Sequence, residues 1–214
     1  MQRRNADAEA VADSVAGALV AFSAPTTPVP PVHIETAASA LADKTGLYRN
    51  LRDMRAQRLR VTSGKLETEN GNELVPIDRA GTTFQAARGG TRLLFQRRAD
   101  GHYDARIVSQ ASDTVPADWV PEADTGRGAL GAFAGVYESP EAEATIRVAV
   151  DSAGALAVTR VSTPGGPWRL RPLYRDGFAI PAGVLVFTRD RAGRVNGSRF
   201  TTGRVRNLRF ERRP

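Results

Sequence analysis

The stretch "ATIRVAVDSAGALAVTRV" (Ala144–Val161) alternates with a period of two. Ile146, Val148 and Val150 are apolar, with Arg147 and Ala149 between them. "DSAG" (Asp151–Gly154) supplies turn residues, and "ALAVTRV" (Ala155–Val161) runs on after it. Alternation puts one set of side chains in a core and the other in water, which is the signature of half-buried strands joined as a hairpin. The rest of the C-terminal half repeats the pattern. "TPGG" (Thr163–Gly166) turns the chain before "WRLRPLY" (Trp168–Tyr174), "RDG" precedes "FAI", "PAG" precedes "VLVFTRD", and "RAG" precedes "RVNGSRFT". Arg204–Arg212 reads as the last strand and "GVYES" (Gly135–Ser139) as the first. About eight strands at hairpin spacing make an up-and-down antiparallel sheet, and closure into a barrel removes its exposed edges.

The N-terminal half carries the same order of segments. "LADKTGLYRN" (Leu41–Asn50) aligns with "LGAFAGVYES" (Leu130–Ser139), and "RLRV" (Arg58–Val61) with "TIRV" (Thr145–Val148). "SGKLET" (Ser63–Thr68) aligns with "AGALAV" (Ala153–Val158), and "LVPIDRAGTTF" (Leu74–Phe84) with "LRPLYRDGF" (Leu170–Phe178). "LLFQRRADGHY" (Leu93–Tyr103) aligns with "LVFTRDRAGRV" (Leu185–Val195). Five matches in one order point to an internal duplication. The expected fold is all-β: two tandem, duplicated, antiparallel eight-stranded barrels of lipocalin-like, up-and-down form, preceded by one short α-helix. Residues 36–111 form the first repeat, 112–128 a connector and 129–214 the second repeat.

Residues 1–35 have a different pattern. Val11, Val15, Leu19 and Phe22 recur at helical spacing, with Asn5 as an N-cap, which predicts an amphipathic helix over about residues 6–22. Four prolines in "SAPTTPVPPVHIE" (Ser23–Glu35) make an extended linker. The apolar stripe is the candidate interaction surface, for another domain or a second copy of the chain. Asp7, Glu9 and Asp13 interrupt the early apolar run, so it does not read as a clear signal peptide.

Composition narrows the chemistry. The chain has 214 residues, no cysteine and two histidines, His33 and His102, in different neighbourhoods. Thiolate chemistry is excluded, and neither a metal site nor a cofactor is expected. The formal net charge is +7 and almost all the cations are arginine. They alternate with apolar residues, as in "RVRNLRFERR" (Arg204–Arg213), which is the pattern of a solvated sheet face rather than of a nucleic-acid interface. No apolar run is long enough for a membrane helix, so no membrane span is expected.

"DKTGLYRN" (Asp43–Asn50) contains a KTG and a YxN, both active-site triplets of serine β-lactamases and penicillin-binding proteins. Their order is reversed and no S-x-x-K accompanies them. Tyr48 aligns with Tyr137, so it reads as a packed strand residue. No catalytic residue is assigned. "ARGGTR" (Ala87–Arg92) reads as a hairpin turn, and Glu138, Glu141 and Glu143 as solvated carboxylates.

The barrel repeats resemble the C-terminal accessory domains of β-lactamase-related serine hydrolases of the penicillin-binding protein and D-aminopeptidase type. The likeness rests on "LGAFAGVYES", which opens the unit, and "GRVRNLRFER", which closes it. It covers residues 130–212 well and 41–110 more weakly. It implies a bacterial, periplasmic or extracytoplasmic, non-catalytic region that packs on a serine-hydrolase domain and modulates it, without that domain's catalytic residues. The alternative is a stand-alone lipocalin-like module that binds a small ligand in a barrel mouth.

Overall fold

The structure is a computed structural model and describes residues 38–109, 113–161 and 166–213. The expected helix over residues 6–22, its stripe Val11, Val15, Leu19 and Phe22, and the proline linker lie outside the described residues.

The chain forms two tandem antiparallel barrel-like sheets with two short helices. Helix α1 (Ala38–Ala42) leads into β1 (Gly46–Asn50), β2 (Ala56–Thr62), β3 (Lys65–Thr68), β4 (Glu73–Pro76), β5 (Thr83–Ala86), β6 (Arg92–Arg97), β7 (Tyr103–Val108) and β8 (Thr114–Val120). These eight strands close in order, with β1 pairing with both β2 and β8. Helix α2 (Arg127–Gly131) then leads into β9 (Gly135–Ser139), β10 (Ala144–Val150), β11 (Leu156–Arg160), β12 (Trp168–Arg169), β13 (Arg171–Tyr174), β14 (Gly177–Ile180), β15 (Gly183–Arg189), β16 (Val195–Thr201) and β17 (Leu208–Arg212). Here β9 pairs with β10 and β17, and the nine-stranded sheet ends at β12 and β13. The ninth strand arises because β12 and β13 are two parts of one run. Trp168–Leu170 bonds to β11, with the Leu170 N–H donating to Leu156 O at 2.8 Å, and Arg171–Tyr174 bonds to β14.

Two boundaries differ from the sequence reading. Residues 112–128 are not all connector, because Thr114–Val120 is the strand that closes the first barrel. Val115, Ala117 and Val120 are buried, but Pro116, Pro121 and Asp118 hide the alternation in sequence. Pro116 lacks an N–H, yet its carbonyl still accepts from Leu51 at 3.0 Å. The last strand begins at Leu208 rather than Arg204; Thr202–Asn207 is a loop tied by the Val205 carbonyl, which accepts from the Thr202 N–H at 2.7 Å.

The ladders also correct one alignment. Leu59 stands opposite Gly46 and Val148 opposite Gly135, so Leu59 matches Val148, and "RLRV" against "TIRV" is two residues out of register. The other strand matches agree with the pairing: Phe84 faces Leu93 as Phe178 faces Leu185, and Phe95 faces Ala105 as Phe187 faces Ser198. Both cores rest on one aromatic framework. Phe84 and Phe95 meet edge to face at 5.5 Å, as Phe178 and Phe187 do at 5.7 Å. Tyr48 lies 5.6 Å from Phe95, and Tyr137 lies 5.6 Å from Phe187. Each such buried side chain contributes about 1.5–3 kcal/mol.

The barrels are joined by an apolar contact. Leu47 and Val120, on the outer face of β1 and β8, cluster with Tyr174 from β13. The Tyr174 hydroxyl donates to Met54 O at 2.9 Å. Arg49 grips Asp118 through two bonds, at 3.0 and 2.6 Å, and its guanidinium lies 5.3 Å over the Tyr174 ring.

Candidate ligand-binding site

Each barrel has one end closed by the segment that enters its first strand. In the first, the Tyr48 hydroxyl donates to Lys44 O at 3.1 Å; in the second, the Tyr137 hydroxyl donates to Phe133 O at 2.7 Å. Each tyrosine therefore satisfies a carbonyl left over beyond the helix. Burial pushes Tyr137 up to about 12 and raises Tyr48 further. Tyr48 is thus a buried anchor, in keeping with its reading as a packed strand residue.

Lys44 was not legible. It is 3 % exposed and occupies the place of Phe133. Phe133 packs 5.1 Å from Phe178 and 4.7 Å from Phe187. The Lys44 ammonium lies 5.8 Å from Phe84, 5.9 Å from Phe95 and 4.7 Å from Tyr103, and donates to Ala40 O at 2.8 Å. Ring faces attract the cation. Desolvation by burial nevertheless lowers its pKa from the ordinary value, against the pull of Asp43 and Asp78. Beyond Lys44, Trp119 crosses Gly46, where a Cβ would sit 2.3 Å from the indole Nε1 and where φ is +127°. Trp119 also stacks on His102 at 3.5 Å. The matching residue of the second barrel is Arg212, which caps Val195 O and Ala132 O at 3.0 and 3.2 Å and Ala134 O at 2.5 Å.

The remaining motifs have structural roles. Ser63 (φ 51°) and Gly64 form the turn between β2 and β3, and Lys65 pairs with Glu73 at 2.9 Å. Gly89 and Gly90, both at positive φ, form the turn between β5 and β6. Glu138 pairs with Arg213, while Glu141 and Glu143 are exposed in the turn after β9. Among the described residues no group of three or more metal-binding side chains is gathered, and no helix is long and apolar enough to cross a membrane.

The opposite ends are open, and there the barrels diverge. The first holds a cavity of about 180 Å³ lined by Asp53, Arg55, Gln57, Leu93, Ile107 and Ala117, among others. The second holds one of about 470 Å³ whose matching positions are Ala142, Ala144, Ile146, Leu185, Phe200 and Phe210. The ladders fix these matches: Gln57 faces Tyr48 as Ile146 faces Tyr137, and Ile107 faces Leu93 as Phe200 faces Leu185. Two alanines stand where the first barrel has Asp53 and Arg55, which widens the second mouth and strips it of polar groups. Val158, Trp168, Ile180 and Leu208 complete an apolar wall, and Arg160 is its one charged residue. Ser198 faces inward two residues below Phe200; its Oγ is 2 % exposed at the residue level and has no hydrogen-bond partner among the described residues. The alternation of β10 and β11 predicted the inward row, but lining a wall and filling a core have the same period, so the cavity itself was invisible.

No family model matches the chain, and no curated protein matches it.

Proposed function

We propose that the chain is a binding module, and that its ligand is a small molecule with an apolar body held in the second barrel. The observation that supports this is the cavity of about 470 Å³ at the open end, which falls in the size range of ligand pockets and has an almost wholly apolar wall. A neutral, environment-sensitive dye, N-phenyl-1-naphthylamine, tests it. The intact protein should give a saturable rise in emission. Ala144→Arg, which installs the matching residue of the first barrel, should abolish the rise while the far-ultraviolet circular dichroism stays unchanged. No saturable binding to the parent, or undiminished binding to Ala144→Arg, would overturn the reading.

A second reading is supported by the joint at Tyr174 together with the resemblance of the repeats. In it the two barrels serve as a fixed, non-catalytic accessory region of a β-lactamase-like serine hydrolase, with that catalytic domain or a second copy as partner. A reading frame that places an S-x-x-K domain ahead of Met1 would favour it. Hydrolysis of a chromogenic β-lactam by this chain alone would overturn it.

A further inference from the structure

The wall of the second cavity is apolar except at one point, and that point selects a ligand class. β11 sends Leu156, Val158 and Arg160 inward in turn, and Arg160 is the last of this row before the rim. Its ladder partner, Ile146, lines the cavity. Arg160 is exposed and makes no hydrogen bond or ion pair among the described residues. A long stem against an apolar wall with its cation at the water line is how arginine sits at such a boundary. A planar fork there matches a carboxylate or phosphate, and charge-assisted bonds to either are strong. In the first barrel the matching strand ends at Thr68, the counterpart of Val158, so it carries no strand residue at the place of Arg160, and the cation belongs to the apolar cavity and not to the shared framework.

Size supplies the second restriction. At about 30 Å³ per water-sized group, the cavity of about 470 Å³ holds about fifteen such groups. That is one chain of about a dozen carbons with its head at the mouth; two chains of a diacyl lipid would not fit. The loops that join the lining strands at this end carry Arg204 and Arg206, between Phe200 and Leu208, and Glu141 and Glu143, which flank Ala142. With Arg160 the balance is one positive charge, which suits a single anionic head and disfavours a cationic one.

We infer that the second barrel binds a single-chain amphiphile with an anionic head, its chain along the apolar wall and its head on Arg160. The inference rests on the reading of this cavity as the ligand site. The test is displacement of bound N-phenyl-1-naphthylamine by dodecanoate, dodecyl phosphate, dodecanol and dodecylammonium, each below its micellar concentration, from the parent and from Arg160→Gln. At least one of the two anions should displace the dye at a concentration about tenfold lower than dodecanol, with dodecylammonium weakest. Whichever anion is stronger identifies the head as carboxylate or phosphate. Arg160→Gln should erase the advantage of the anions over dodecanol, each potency being taken relative to the dye's own affinity for that variant. Equal potency of anions and alcohol, or an advantage that survives in Arg160→Gln, would overturn the inference while leaving the cavity reading intact. Failure of the dye itself to bind would overturn both.

Discussion

The two barrels share their ladders, their helix-to-strand corner and their aromatic framework, and differ in what fills the same places. At the closed end the first barrel has Lys44 among rings where the second has Phe133. Across the opening glycine the first has Trp119 and the second Arg212. At the open end the first has Asp53, Arg55 and Gln57 where the second has Ala142, Ala144 and Ile146. Fold is therefore carried by the inward rows nearest the aromatic framework. The mouth is free to vary because its residues meet water or a ligand rather than one another. A cation can replace a phenylalanine in one core because three ring faces and one carbonyl surround it.

Breaking the joint between the barrels should have the largest effect. Tyr174→Ala removes a fully buried ring and its bond to Met54 O, and should cost about 3–5 kcal/mol. Thermal melting should fall accordingly, and limited proteolysis should begin to cut at 121–126, between β8 and α2. A loss under about 1 kcal/mol with an unchanged digestion pattern would show that the contact does not hold the two units.

Alkaline titration is the next largest. Burial lifts Tyr137 and Tyr174 from 10 to about 12, Tyr174 doing so against Arg49, and raises Tyr48 as well. Groups raised in the folded state contribute stability that is complete below pH 10 and is lost as pH climbs towards the folded values. Denaturant midpoints should therefore fall steeply above pH 10, with tyrosinate absorbance appearing together with unfolding. Tyrosinate absorbance from more than one of the chain's four tyrosines at pH 10, with the chain fully folded, would contradict the buried corners.

Lys44 sharpens the contrast at the closed end. Lys44→Ala leaves a hole among Phe84, Phe95 and Tyr103 and should cost about 2–3 kcal/mol. Lys44→Met keeps the volume without the charge and should hold stability within about 1 kcal/mol or raise it. Because the folded state lowers the lysine pKa, the unfolded chain binds the extra proton between that value and 10.5, so stability from this residue rises with pH there. Lys44→Met should remove that rise in urea midpoints; a rise that persists would assign it elsewhere.

The smallest effect is at Ser198, whose counterpart is Ala105. Ser198→Ala removes an unpaired buried hydroxyl and should stabilise by about 1 kcal/mol, read from the urea midpoint. A loss of similar size would mean that the hydroxyl has a partner.

The architecture was legible because strands of period two and turn residues recur in the same order in both halves. Tyr48 and Tyr137 were legible as packed residues because each follows the same glycine. The final strand of the first barrel was obscured by Pro116 and Pro121, whose effect on pairing depends on which edge their missing N–H faces. Lys44 stood out in the sequence only as part of a KTG triplet; charge suggests exposure, and only the fold shows that rings surround it. The cavity was hidden for a related reason: Ala142, Ala144 and Ala182 look like ordinary small residues until three strand ends bring them together.

Only the second barrel offers an apolar mouth, and the two tryptophans report on the two barrels separately. Trp168 lines the cavity, while Trp119 stacks on His102 in the first barrel. The direct measurement is quenching by 12-bromododecanoate in Trp119→Phe and Trp168→Phe, with displacement of N-phenyl-1-naphthylamine confirming occupancy in each. Trp168 should be quenched saturably and Trp119 should emit steadily at the same occupancy. Equal quenching of both, or quenching confined to Trp119, would contradict that placement.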